Sequence, residues 1–306
     1  MSTERGRSFA RRPGAWLSEP LPQVAISFEF FPPKNAEADV RLWQAIERLA
    51  PFHPSYVSVT CGAGGNPAEG TASLVDALRA RAGLCAVAHL TCATAPRATI
   101  DQIAERYWDS GVRHIVALRG DPPKDGVQRQ NGAHYGFAAD LVAALRRIGE
   151  FEISVAAYPE PHPEAVSPEA DFDNLKRKID AGARRAITQY CFDTDAVLRL
   201  RDRMVAAEIT APLSVGILPV HNFSQVRRFS ERCGAGVPDW LFDLFDGLDD
   251  DPEQQALVAA SVTAEQARRL ILEGIEELHF YTLNRAELTI AACRLLGLRP
   301  SLACAA

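Results

Sequence analysis

Eight short runs of β-branched and apolar residues recur along the 306-residue chain, separated by longer stretches of helical periodicity rich in Glu, Arg and Ala. The runs are residues 24–31 (VAISFEFF), 56–61 (YVSVTC), 84–91 (LCAVAHLT), 114–119 (HIVALR), 153–158 (ISVAAY), 185–192 (RAITQYCF), 213–220 (LSVGILPV) and 278–283 (LHFYTL). Strands that alternate with helices must pair in parallel, and runs this apolar need cover on both faces. Eight such units match the (β/α)8 TIM barrel, typically about 250 residues, with an open doubly wound sheet as the structural alternative. Helices are expected over residues 37–49, 98–110, 171–181 and 195–207; two of them run into Gly111 and Gly182, the usual stop. The connection between strands seven and eight is too long for one helix, so residues 238–247 and 252–274 predict extra helices there. A single catalytic domain is expected over residues 24–300, with a flexible arm at 1–23 and a short tail at 301–306.

Charge and motifs exclude several function classes. Lys and Arg number 33 against 39 Asp and Glu, a net charge of −6, so neither nucleic acid nor an anionic membrane is an expected partner. No apolar run approaches the ~20 residues that a membrane-spanning helix needs. The pair Arg11-Arg12 leads into Pro13, Gly14, Glu19 and Pro20 rather than a secretory apolar stretch, which points to a cytoplasmic protein. The seven cysteines are irregularly spaced without a C-x-x-C pair, so reduced and mostly buried thiols are expected. No metal site is expected. Gly62 to Gly65 follow a strand but lack the third glycine of a dinucleotide fingerprint, and neither a Walker A loop nor H-E-x-x-H occurs. The acidic run 246–251 departs from the calcium-loop pattern and is expected to feed a helix N-terminus.

Chemistry in such a barrel sits at the C-terminal strand ends. Nearly every run ends on a polar residue: Glu29, Thr60, His89 and Thr91, Arg119-Gly120-Asp121, Tyr158, Glu160 and His162, Gln189, His221 and Asn222, and Asn284-Arg285. Glu29 lies between Phe28 and Phe30-Phe31, and apolar surroundings favour the protonated form of a carboxylic acid, which suits a general acid. The structural alternative is an ion pair with Arg119 or Arg285. Asp121, at the end of a buried strand, reads as a site carboxylate rather than part of an adhesion signal. Asp171, Asn174 and Lys178 fall at i, i+3 and i+7 with Arg177 beside them, bordering the apolar stripe Phe172, Leu175, Ile179. That cluster suits a phosphate-bearing cofactor; the alternative is a solvated face with an Asp173 to Arg177 pair.

The segment Phe28-Glu29-Phe30-Phe31-Pro32-Pro33 resembles the opening signature of the methylenetetrahydrofolate reductase family. The resemblance continues in order through His89-Leu90-Thr91-Cys92, residues 118–121 (LRGD), 157–160 (AYPE), 174–178 (NLKRK), 187–189 (ITQ), 216–220 (GILPV) and 279–285 (HFYTLNR). It is closest to the bacterial single-domain form. The resemblance implies a (β/α)8 flavoprotein that binds FAD and is reduced by NADH or NADPH. 5,10-Methylenetetrahydrofolate then receives the hydride and becomes 5-methyltetrahydrofolate, feeding methionine synthesis. It implies Glu29 as the general acid that opens the folate ring and Asp121 as the anion supporting the iminium cation and tuning the flavin. Gln189 would bind the pterin and Phe223 would stack on either substrate, with Thr60, Leu283 and Arg285 lining that pocket. The implied FAD positions are His89, Arg119, Gly120, Asp121, Ala138, Tyr158, His162, Asp171, Asn174, Arg177 and Lys178, with Thr60 and Cys61 adjoining. Cys61 stands where the family has an aromatic residue. A homo-oligomer is expected. The competing readings are a barrel flavoenzyme of the proline dehydrogenase type, disfavoured by Glu29, Asp121 and Gln189, and a non-catalytic folate- or flavin-binding protein.

Overall fold

The structure, a computed structural model, describes residues 21–61, 67–93, 95–120 and 134–301. Eight parallel strands close on themselves in sequence order: β1 (Ala25–Phe30), β2 (Tyr56–Val59), β3 (Ala86–Thr91), β4 (His114–Leu118), β5 (Glu152–Ala157), β6 (Arg185–Thr188), β7 (Leu213–Ile217) and β8 (Glu277–Tyr281). The (β/α)8 barrel expected from the alternation is therefore the fold, and the open sheet is excluded by the β8 to β1 pairing. Among the described residues ten α-helices surround it: α1 (Ala36–Leu49), α2 (Pro67–Ala82), α3 (Arg97–Asp109), α4 (Ala138–Ile148), α5 (Pro168–Asp180), α6 (Thr194–Ala206), α7 (Phe223–Cys233), α8 (Asp239–Phe245), α9 (Pro252–Leu272) and α10 (Glu287–Leu295).

Alternation along each strand sorts two interiors. Outward residues such as Phe28, Phe30, Val57, Ile115, Val155 and Phe280 pack with α1 Leu42 and Ile46 and α4 Leu141 and Leu145 in the main core. Inward residues are smaller or polar: Tyr56, Val87, Val116 and Ile187 form a compact apolar plug. Around the plug, His114 pairs with Ser154 at 2.8 Å and His279 with Ser27 at 2.7 Å. At the N-terminal rim Arg185 bridges Glu152 and Glu277, at 2.5 and 2.9 Å, tying together the starts of β5, β6 and β8.

The extra helices lie where the long connection demanded them, and α7, α8 and α9 enclose a second apolar cluster around Phe223, Leu241 and Phe245. Two strands are shorter than their apolar runs. β6 stops at Thr188 because Tyr190 and Phe192 turn into the second cluster and Asp193 caps α6 by accepting from the Asp195 N–H at 2.9 Å. β7 stops at Ile217, two residues before Pro219, which has no N–H for a ladder. Gly111 and Gly182 take left-handed φ of 83° and 117° just past α3 and α5. Asp251 caps α9, accepting from the Gln254 N–H at 3.0 Å, as the acidic run predicts. Burial of the thiols is less complete than expected, because Cys85 is exposed before β3 and only Cys92, Cys191 and Cys293 are buried among the described cysteines. No helix among the described residues is long and apolar enough to cross a membrane.

Candidate active site

Glu29 points into the lumen near the C-terminal end of β1, and its side chain keeps 17% of its accessible surface. Its carboxylate oxygen Oε2 lies 3.5 Å from His89 Nε2 on β3 and 3.6 Å from His279 Nε2 on β8. This corrects two expectations. Phe28 and Phe30 do not enclose Glu29, since neighbours along a strand face opposite ways and both pack in the outer core. Nor does Glu29 pair with Arg119 or Arg285; Arg119 is bound to Glu164.

The two histidines differ in what holds them. His89 is pushed below its usual pKa, chiefly by burial, with His279 adding to the shift and Glu29 opposing it, so it is a neutral ring near neutral pH. His279 is fully buried, and its Nδ1 faces Ser27 Oγ at 2.7 Å. Ser27 donates its hydroxyl proton to the Leu278 carbonyl at 3.2 Å, so it accepts from His279 Nδ1–H. In that tautomer His279 turns a bare Nε2, an acceptor, toward Glu29 and Ser58.

The end of β8 fixes the end of β1. Thr282 Oγ1 donates to the Glu29 carbonyl at 2.6 Å. Asn284 accepts from the Phe31 N–H at 3.0 Å and donates to the Phe31 carbonyl at 2.9 Å. Leu283 and Asn284 hold left-handed φ of 52° and 57°, a strained turn that aims the Asn284 amide at β1. Gly216 on β7 makes room opposite: a Cβ there would lie 2.4 Å from the Thr188 carbonyl and 2.6 Å from the Tyr281 ring, whose hydroxyl donates to Thr188 O at 2.7 Å.

A separate cavity of about 430 Å³ opens between the ends of β4 and β5 and helices α4 and α5. Arg119, Gly120, Ala138, Tyr158, His162, Asp171, Asn174, Arg177 and Lys178 all line it. Lys178 is 4% exposed, donates to the Ala156 carbonyl at 2.5 Å, and is pushed down to about 8 chiefly by burial, with Arg177 lowering it and Asp171 raising it. Asp171 accepts from the His162 N–H at 3.1 Å, holding the β5–α5 loop to the helix. His162 packs edge-on against Tyr158 with ring centroids 4.8 Å apart. Arg177 lies over the Phe137 ring at 5.8 Å. Gly120 adopts a left-handed φ of 77°, and a Cβ would sit 2.9 Å from Thr91 Cβ, so only glycine lets the backbone close here.

His89 and Thr60 do not line this cavity; His89 belongs with Glu29, and Thr60 accepts from Thr71 through its carbonyl. Gln189 accepts from the Tyr190 N–H at 3.0 Å, just past β6. Phe223 is stacked on Phe245 at 4.8 Å and packs in the second cluster, with Leu283 against the same cluster. Arg285 is exposed beside His221. Cys61 Sγ accepts from Thr91 Oγ1 at 3.8 Å, and burial pushes its thiol up. Asp121 and the glycine-rich loop after Cys61 lie outside the described residues. Among the described residues no group of three or more His, Cys, Asp or Glu is placed to hold a metal ion. Sequence reasoning missed His279 and Thr282 as site residues and named Asn284 only as a polar strand end; the period-2 alternation from Tyr281 back to His279 was the signal that puts that histidine in the lumen.

A known fold and a known sequence family both match. The chain is similar in fold to a Clostridium thermocellum protein described as binding two copies of 5-methyl-5,6,7,8-tetrahydrofolic acid, with a TM-score of 0.59 over 93% of this chain and 97% of that one. At 13% identity that likeness concerns the fold alone. The 5,10-methylenetetrahydrofolate reductase of Pectobacterium carotovorum subsp. carotovorum is 49% identical over 94% of this chain and 95% of its own length. That of Escherichia coli (strain K12) is 48% identical with the same coverage. Residues 19–297 match the family profile described as Methylenetetrahydrofolate reductase, and with identity near one half along a barrel of the expected topology, the chain belongs to that family.

Proposed function

We propose that the protein reduces 5,10-methylenetetrahydrofolate to 5-methyltetrahydrofolate, with FAD as bound cofactor and NADH or NADPH as electron source, in two half-reactions. The observation that carries the reading is Glu29 in the lumen within 3.6 Å of both His89 and His279, a carboxyl group held at the C-terminal mouth of the barrel.

The residues around the β4/β5 cavity fit FAD. Two cations, Arg177 and Lys178, suit its diphosphate, Asn174, Asp171 and His162 can hydrogen-bond its hydroxyl groups, and Gly120 and Ala138 leave room for close approach. Arg119 and Tyr158 line the same space. When bound, FAD supplies the two-electron carrier between nicotinamide and folate.

The protein's own part is proton and charge management. Glu29 donates a proton to a nitrogen of the folate's five-membered ring, opening it, and regains one from solvent at the barrel mouth before the next turnover. His89, neutral beside it, adds no charge to the carboxyl group. Asp121, by family resemblance, balances the iminium cation that ring opening creates. Gln189 hydrogen-bonds the pterin; Phe223 and Leu283 form the apolar wall, and Thr60 and Arg285 complete the pocket. Family membership supports the further reading of a cytoplasmic homo-oligomer feeding methionine synthesis.

The test is an absorption spectrum of the FAD-reconstituted protein followed by anaerobic titration with each pyridine nucleotide, then with methylenetetrahydrofolate. A flavin band bleached by one nucleotide and restored by the folate is expected. A protein that retains no flavin, or whose reduced flavin ignores the folate, overturns the reading.

A further inference from the structure

The acidic run 246–251 and Gln255 have no part in the site described above, yet both reach the start of α7. The run forms the turn between α8 and α9, and Gln255 lies in the first turn of α9. Gln255 is a long polar side chain only 5% exposed, and both ends of its amide are engaged. Its Oε1 accepts from the Phe223 N–H at 3.2 Å, and its Nε2 donates to the Leu248 carbonyl at 3.1 Å. An N–H on one side and a carbonyl on the other fix which way the amide faces. Beside it, Asp249 accepts from the Ser224 hydroxyl at 3.2 Å.

These bonds are not what starts the helix. The first N–H groups of a helix lack partners within it, and Asn222 already caps α7 by accepting from the Gln225 N–H at 2.8 Å. The Phe223 N–H, at the first helical position, would otherwise be left over, and Gln255 takes it. The Phe223 ring is held by α8, stacked on Phe245 with centroids 4.8 Å apart and edge-on to Phe242 at 5.4 Å. Residues 242–255 thus grip both the backbone and the ring of Phe223. The far end of α7 is tied separately, where Glu160 accepts from the Gly236 N–H at 2.8 Å. Loss of the Gln255 bonds therefore frees the start of the helix and leaves its end in place.

We propose that Gln255 and Asp249 are positioning residues that set the Phe223 ring against the substrates, Gln255 through the Phe223 backbone and Asp249 through the neighbouring Ser224. The inference rests on the reading of Phe223 as an apolar wall of the folate pocket. Gln255 carries the larger share, because a buried hydrogen bond that is broken leaves both partners away from water, whereas the exposed Asp249 can exchange its bond for one to solvent.

The test measures KM and kcat for methylenetetrahydrofolate in the FAD-reconstituted protein and in Q255M, D249A, F223A and F223A/Q255M. Methionine keeps the length of glutamine and removes both hydrogen bonds. Q255M should raise KM about tenfold, the scale of one buried hydrogen bond, with kcat within about twofold and flavin content unchanged. D249A should raise it about two- to threefold. In the F223A background the Q255M change should alter KM by less than about twofold, since a residue that acts through Phe223 then has nothing to place. Equal factors in the two backgrounds, or a parental KM in Q255M, overturn the inference and leave folate reduction standing. If the thermal midpoint shows that Q255M does not fold, D249A decides, and a parental KM there overturns the proposal. A parent protein that reduces no folate, or an F223A protein with parental KM, overturns the reading beneath it.

Discussion

Glu29 and His279 face each other at 3.6 Å across the seam where the barrel closes, and Ser27 behind the histidine decides which ring nitrogen carries the proton. With Nδ1–H committed to Ser27, the imidazole meets the carboxyl group as a proton acceptor.

Glu29→Gln should leave reduction of bound FAD by nicotinamide largely intact and slow folate reduction about 10²- to 10⁴-fold, because only the second half-reaction needs a proton at the folate nitrogen. Stopped-flow traces separate the two. Equal slowing of both would make Glu29 structural.

Lys178 makes the cavity between β4, β5, α4 and α5 pH-sensitive. The folded lysine loses its proton near pH 8 and the unfolded one near 10.5, so the burial penalty is complete below pH 8. Stability of the FAD-free protein should climb as pH rises from 8 toward 10.5, by roughly 3 kcal/mol in total. Lys178→Met should remove this slope in urea denaturation curves and stabilise the FAD-free protein at pH 7. It should also weaken FAD binding, which in the parent protein should fall as pH rises through 8.

Arg177→Ala is expected to weaken FAD retention about ten- to a hundredfold, the scale of one charge-assisted phosphate contact, without unfolding the barrel. Flavin content after dialysis reads this directly. Full retention would assign the diphosphate to other groups.

Asn284→Ala removes both bonds to Phe31 and leaves alanine in a left-handed conformation, so a loss of about 2 to 4 kcal/mol is expected. Chemical denaturation measures it. Folate reduction should suffer more than nicotinamide-driven FAD reduction, since the loosened strand carries Glu29.

Gly120→Ala combines a left-handed backbone with a contact of 2.9 Å to Thr91. About 1 to 2 kcal/mol of strain follows from the backbone alone, and the bend at the cavity edge should lower FAD affinity. A variant with parental stability and flavin content would mean the loop absorbs the change.

The barrel was legible because strand and helix periods alternate eight times and parallel strands must be apolar on both faces. The grouping of nine residues named by motif resemblance was legible too: they line one cavity, since α5 brings positions 171, 174, 177 and 178 to a common side. Surroundings were harder to read than identities. Phe28 and Phe30 flank Glu29 in sequence yet leave it for the outer core, whereas His279, 250 positions away, meets it through the register of β8 on β1. Phe223 reads as a free stacking surface in sequence, but its packing against Phe242 and Phe245 depends on helices that follow it.

The clamp between Asn284 and Phe31 joins residues 253 positions apart. Closing so long a loop is among the slowest entropic steps a chain of this size can take. During synthesis the strand that bears Glu29 leaves the ribosome well before the residues that fix its end. Glu29 thus waits for nearly the whole chain before it has a fixed place. The meeting of Glu29 with His279 is an all-or-none property of the completed ring, and a nascent barrel with seven strands holds Glu29 on an unpaired edge.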